Sequence, residues 1–309
     1  EGTQVSGGYD GIVQQIIDAK ADIVTFSEVR NYKNTHFCDR IVQSLAEKGH
    51  TYYSFYSYDS GILSRYPIKD SVTIFPENGD HGSLYRAVVD INGREVAVYT
   101  THLDYLNCAY YMLRGYDGNT WDYYGAPVTD IDTIMQVNVA SQRDDAIRDF
   151  IAAAKKDKEQ GRIIIIGGDF NEPSHQDCIG EAANMFDRQG LEIPWTVSTL
   201  MIENGFVDAY RAKFPDPVTH PGITYPADCE GAPIKKLTWA AEADERERID
   251  FIYYMPDAAL SLDDAKVWGP KGSISYSQRV QENTQDSFGI GQGVWPTDHK
   301  GVLVTFTLK

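Results

Sequence analysis

Arg162-Ile163-Ile164-Ile165-Ile166-Gly167-Gly168-Asp169-Phe170-Asn171-Glu172-Pro173 is the stretch on which the reading of this 309-residue chain turns. The isoleucine run is too short for a helix and reads as a buried strand. It stops at a carboxylate and an amide, so the strand delivers polar groups to the mouth of a sheet, where loops build pockets. Upstream, Val137 to Gln160 predicts a long amphipathic helix closed by Gly161. Leu84 to Ile91 and Glu95 to Thr101 flank Asn92-Gly93, a strong hairpin signal. Thr51 to Tyr58 and Gly61 to Ser64 read as paired strands, and Phe37 to Lys48 as a helix capped by Gly49. Tyr9 to Lys20 has helical spacing and runs into the strand Ala21 to Val29. Downstream, Ile249 to Tyr254 and Val302 to Leu308 are further strands. Helices and strands alternate without a linker, so residues 1–309 are expected to form one domain.

Lys and Arg number 28 against 45 Asp and Glu, so the net charge is 28 − 45 = −17. Such a chain advertises no basic face for the phosphate backbone of nucleic acid, although bound cations can reverse the sign of an acidic cleft. No apolar run approaches the roughly 18 residues needed to cross a bilayer. Cys38, Cys108, Cys178 and Cys229 lie far apart, which argues against a zinc site and leaves free thiols and disulfides both open. The first residues, Glu1-Gly2-Thr3-Gln4, lack an initiator Met, and a trimmed form of a longer precursor is the expectation. Twenty Tyr and five Trp on an acidic chain point to an extracytoplasmic setting.

Four places repeat the strand-end theme. They are Phe26-Ser27-Glu28-Val29, Thr101-His102-Leu103-Asp104, Gly168-Asp169-Phe170-Asn171, and the pair formed by Ile249-Asp250-Phe251 with Thr297-Asp298-His299. Each alone is bland, but five such groups together are hard to dismiss as solvated termini. Glu28, Asp169 and Asp298 are hard oxygen ligands suited to Mg²⁺, Mn²⁺ or Ca²⁺. His299 comes beside one of them, and Asp250 could accept its second ring N–H and fix its tautomer. A cation to polarise a phosphoryl oxygen, an acid–base group and neutral donors make an inventory for phosphoester hydrolysis.

The series SEV, THLD, GGDFNEPS, RIDFIYY and TDHKGVLVTF resembles the endonuclease/exonuclease/phosphatase superfamily from about Tyr9 to Leu308, with Gly61 to Ile68 similar to a further family strand-turn. The resemblance implies an α/β (α+β) four-layer sandwich, two mixed, mostly antiparallel sheets packed face to face and flanked by helices. It also implies Mg²⁺ or Mn²⁺ as cofactor. By the same resemblance Glu28 and Asp298 match metal-site carboxylates, and His102 a histidine contacting the scissile phosphate. Asp169 matches the aspartate that positions the attacking water, and Asn171 the amide on a phosphate oxygen. Asp250 matches the partner of His299, itself a general base or phosphate stabiliser in the family. Family members open with a strand ending in Asn-x-Arg or Asn-x-Trp, so such a strand is expected upstream of residue 1. The resemblance also places Cys108, Cys178 and Cys229 in loops at one end of the sheets, so any disulfide is expected to join two of them.

Tyr105 to Gln136, with seven aromatic residues, reads either as a stacking wall for a sugar, base or head group or as a lid packed on itself. Thr219 to Glu247 carries Lys235, Lys236 and Arg246, with Arg248 just beyond, as candidate cations beside a phosphate, solvation being their plainer role. The expectation is a monomeric divalent-metal phosphodiesterase for a small or lipid-linked phosphoester. A nuclease and a non-catalytic binding protein on the same fold are the alternatives. Only His102 and His299 among seven histidines are expected to carry chemistry; His36, His50, His81, His175 and His220 are not, His175 being the nearest to the site.

Overall fold

The computed structural model describes residues 5–31, 34–76 and 82–309. The first half of the chain gives α1 (Gly8–Ala19), β1 (Ile23–Val29), α2 (Phe37–Glu47), β2 (Asp59–Ser64), β3 (Ile68–Phe75), β4 (Gly82–Ile91) and β5 (Arg94–Leu103). Next come α3 (Ile131–Asn138), α4 (Arg143–Glu159), β6 (Ile163–Asp169), α5 (Thr196–Glu203), β7 (Val207–Asp208) and α6 (Ala209–Lys213). The last elements are β8 (Asp250–Tyr254), β9 (Leu260–Trp268), β10 (Gly272–Ser275), β11 (Gln278–Gln281), β12 (Phe288–Gly289) and β13 (Gly301–Leu308).

The main sheet has the order β3-β4-β5-β6-β8-β7, in which only β5 and β6 run parallel. Its outer face takes α4 and α5 through Ile147, Phe150, Ile151 and Met201, packed on Tyr99, Ile164 and Ile166. Its inner face meets β2 through Ile62, Val96, Val98 and Ile163. Behind β1 and β2 lie α1 and α2, with Val13, Ile16, Ile41 and Leu45 around Val29 and Leu63. This is the four-layer α/β sandwich, with one departure from two continuous sheets. The second layer is split into an antiparallel pair, β1-β2, and a separate sheet, β12-β9-β13. Among the described residues, β1 has no ladder partner on the side away from β2, and β13 none on the side away from β9. Both strands line one cavity of about 340 Å³. The strand expected upstream of residue 1 lies outside the described residues.

Two sequence expectations are corrected here. Thr51 to Tyr58 forms no strand; only Tyr53 bridges to Ser64, and β2 pairs with β1 instead. The long helix from Val137 is two helices broken at residues 139–142. The break turns Arg143 inward, 1% exposed, where its guanidinium donates to the carbonyls of Asp104, Leu106 and Asn107 and to Asn138. The Asp104 carboxylate accepts the Gln142 N–H and holds the new helix start against the end of β5.

Candidate active site

Strand register alone brings three of the expected residues together. His102 on β5 lies opposite Asp169 on β6, and Asp169 lies opposite Asp250 on β8. They occupy one rung across three adjacent strands, about 5 Å apart along the sheet. The double glycine lets the layers close at this rung. An added Cβ on Gly167 would sit 2.7 Å from Thr25 Oγ1, and one on Gly168 only 1.9 Å from the Thr101 carbonyl oxygen. Ser27 of β1 fastens the layers, accepting the Asp169 N–H at 2.8 Å and donating to the Thr101 carbonyl at 2.9 Å.

Two carboxylate–imidazole pairs converge on Asp169. His299, from the loop before β13, shares a proton through Nδ1 with Asp250 Oδ2 at 3.0 Å. Its Nε2 lies 3.9 Å from Asp169 Oδ2. His102 meets Asp59 through Nδ1 at 2.9 and 3.0 Å, and its Nε2 lies 4.0 Å from the same Asp169 oxygen. Asp59 was not singled out from the sequence. It reaches the rung from β2, in the facing layer, and is fixed there by Arg30 and Ser83. Asn171 has left-handed backbone (φ 49°), donates its N–H to Asp169 Oδ1 at 2.8 Å, and donates its side-chain amide to the Leu103 carbonyl.

Glu28 occupies a β-bulge. Ser27 pairs with Ser60 and Val29 with Asp59, so Glu28 is the extra residue, at φ 57°. Released from the ladder, it is exposed and lines the cavity together with Asp169, Asp250 and His299. Among the described residues the donors that cluster tightly enough to hold a metal are Asp169, Asp250 and His299, whose ligand atoms lie within 4.8 Å of one another. Asp298 stands outside this trio. Its carboxylate accepts from Thr297 at 3.2 Å and its carbonyl from the Ala227 N–H.

Electrostatics pull these groups in opposite senses. Burial and then the Asp250 charge push the Asp169 carboxyl up to about 7, against the two imidazoles. Burial would lower His102, but Asp59 overrides it and lifts the imidazole to about 9. His299 is likewise raised well above its ordinary value, burial being outweighed by Asp250 and Asp169. Burial would raise Asp59, yet His102 and Arg30 hold it below the usual carboxylate range.

The other candidates lie elsewhere. Arg248 is buried and bonded to Asp177 and Asp208, and Arg246 pairs with Asp244 and Glu282, so both are tied off as ion pairs. Lys235 and Lys236 are exposed. The four cysteines are free and buried, with no disulfide among them. His175 bonds Ser198 at 2.8 Å. His81 lies outside the described residues.

A sequence model of the Endonuclease/Exonuclease/phosphatase family matches residues 2–299. The chain belongs to that family. The "Uncharacterized protein F14F9.5" of Caenorhabditis elegans is 22% identical over 321 aligned residues, covering 99% of this chain and 88% of that protein. Among solved structures, D. rerio TDP2 complexed with single-strand DNA product has TM-score 0.52 at 16% identity, covering 97% of this chain and 91% of that one. A family protein from Leptotrichia buccalis has TM-score 0.51 at 15% identity, covering 97% and 92%. At these identities the structures share the fold.

Proposed function

We propose that this member of the family is a divalent-metal-dependent phosphoester hydrolase that attacks a small phosphodiester with water. The observation that carries the reading is the convergence of two carboxylate-backed imidazoles, at 3.9 and 4.0 Å, on one buried carboxylate oxygen. His102 and His299, both raised, are cationic at neutral pH and donate from Nε2 to phosphoryl oxygens or to the departing alkoxide. Asp169, lifted to about 7, is basic enough at neutral pH to take the proton of the attacking water. Asn171, pinned by Asp169 and Leu103, offers a neutral amide beside them.

The donor set fits a hard cation. Glu28, Asp169 and Asp250 line one cavity, and Asp169 is raised first by burial and then by the Asp250 charge, so a cation there would relieve a crowded acidic site. Glu28 would hold the ion at the edge of that cluster, with Asp298 as a second candidate ligand, leaving Asp169 to take the proton. When bound, Mg²⁺ or Mn²⁺ supplies charge neutralisation at a phosphoryl oxygen. The net charge of −17 and the paired arginines favour a small substrate over a nucleic-acid polymer.

The test is hydrolysis of plasmid DNA, bis-p-nitrophenyl phosphate, sphingomyelin and inositol phosphates with Mg²⁺, with EDTA, and with Mg²⁺ restored. EDTA is expected to abolish turnover and Mg²⁺ or Mn²⁺ to restore it. Undiminished turnover in chelator would overturn the metal assignment, and turnover of plasmid DNA alone would replace the small substrate with a polymer.

A further inference from the structure

The aromatic segment that follows His102 divides into two parts. Tyr110, Tyr111 and Tyr116 are buried and belong to one core cluster with Ile193, Trp195 and Tyr225. Tyr105, Trp121 and Trp239 rise from that cluster as a ladder. Tyr105 and Trp121 stack with centroids 6.0 Å apart and planes 16° from parallel, and Trp239 extends the row 5.1 Å from Trp121 with its plane tilted by 38°. Trp239 is 58% exposed, so much of its indole meets solvent.

The ladder is anchored, and the chain leads from the catalytic rung straight into it. Tyr105 stands three residues beyond His102 at the same strand end. The buried Glu245 carboxylate accepts from the Tyr111 hydroxyl at 2.9 Å and from the Trp239 N–H at 3.1 Å, fixing both loops to one point. Tyr225, in the same buried cluster, sets its ring 4.8 Å from that of His299. The indole N–H of Trp121 is shielded from solvent and has no acceptor among the described residues.

We propose that Tyr105, Trp121 and Trp239 form the subsite for a planar heteroaromatic group, carried by a small phosphodiester whose phosphate lies at the His102–Asp169–His299 rung. The inference rests on the hydrolase reading for its substrate and on the ladder for its specificity. A row of rings that ends in an exposed indole suits stacking; a quaternary ammonium is instead gripped by rings that face one another around it. Stacking of a base on an aromatic ring commonly changes affinity about tenfold.

Two Mg²⁺-supported substrates test it: adenosine 5′-(methyl phosphate) and glycerol (methyl phosphate), which has nothing to stack. Trp239→Ala is expected to shrink the KM preference for the adenosine diester about tenfold, with kcat for it changed less than threefold. Trp239→Phe should recover most of the preference. In parallel, AMP titrated into the wild type should quench tryptophan fluorescence saturably, and Trp239→Ala should weaken that binding to a similar degree. An unchanged KM ratio in Trp239→Ala, or AMP affinity equal in wild type and variant, overturns the subsite. Failure of both diesters to be hydrolysed, with AMP binding still dependent on Trp239, would overturn the hydrolase reading and leave the subsite standing.

Discussion

A single oxygen, Asp169 Oδ2, is the point on which both imidazole edges converge. Removing His299 leaves His102 and the carboxylates in place, so His299→Ala is expected to lower kcat by about 10²–10⁴. Asp250→Asn should lower it less, because it loosens the imidazole without deleting it. Steady-state kinetics on folded variants check both, and wild-type turnover by His299→Ala would remove this histidine from the mechanism. Asp59→Asn makes a different prediction, in stability. His102 is raised from 6.5 to about 9 in the folded protein by Asp59. A raised pKa contributes stability that is complete below pH 6.5 and is lost as pH climbs through 9. Melting curves should therefore show the gap between wild type and Asp59→Asn widest near pH 6 and narrowed by pH 10 to what the Arg30 and Ser83 bonds to Asp59 contribute. A gap that widens with pH would contradict the pairing. At this scale the sequence showed His102, Asp169, Asp250 and His299 through apolar strands that stop at polar groups. Asp59 was illegible because its partner lies 43 positions away in the facing layer, and Tyr58-Asp59-Ser60 is no motif without that layer.

Among the elements, β6 and the β4–β5 hairpin were the most legible, because an isoleucine run and Asn-Gly each admit few conformations. The split of α3 from α4 was not. Apolar spacing continues across residues 139–142, and the break is imposed by the burial of Arg143 under carbonyls more than 30 positions upstream. Thr51 to Tyr58 has strand composition, yet β1 takes the pairing edge of β2, so tertiary competition decided it. The clearest constraint on an element is at Gly168, packed on the Thr101 carbonyl. Gly168→Ala should cost about 1–3 kcal/mol through overpacking and, by parting β5 from β6, also lower turnover. Denaturant melts and kinetics together check this; unchanged values in both would mean the rung tolerates a methyl group.

Across the whole molecule, an excess of acidic residues is partly consumed in buried ion networks. Asp177, 2% exposed, receives Arg248 at 2.8 Å and Arg211 at 2.6 Å, tying the loop after β6 to α6 and to the start of β8. Asp177→Ala would leave both guanidinium groups buried with a lost partner, and a loss of about 3–5 kcal/mol is expected in urea denaturation. A loss below about 1 kcal/mol would show that Asp208 alone satisfies Arg248. No composition count could separate such paired arginines from cations free to meet a phosphate, which is why Arg246 and Arg248 read as candidates in the sequence.

The rung also bears on how the chain acquires its chemistry in time. Its members stand at positions 102, 169 and 250, backed by residues 59 and 299, so a contiguous fragment must run from residue 59 to 169, or from 169 to 299, to hold even one complete imidazole pair with its shared oxygen. Loops this long close slowly, and the pairings that matter are the most distant in sequence. Catalytic competence should thus be among the last properties to appear during refolding, arriving with the native main sheet rather than with the helices. Recovered turnover is then a clock for completed folding.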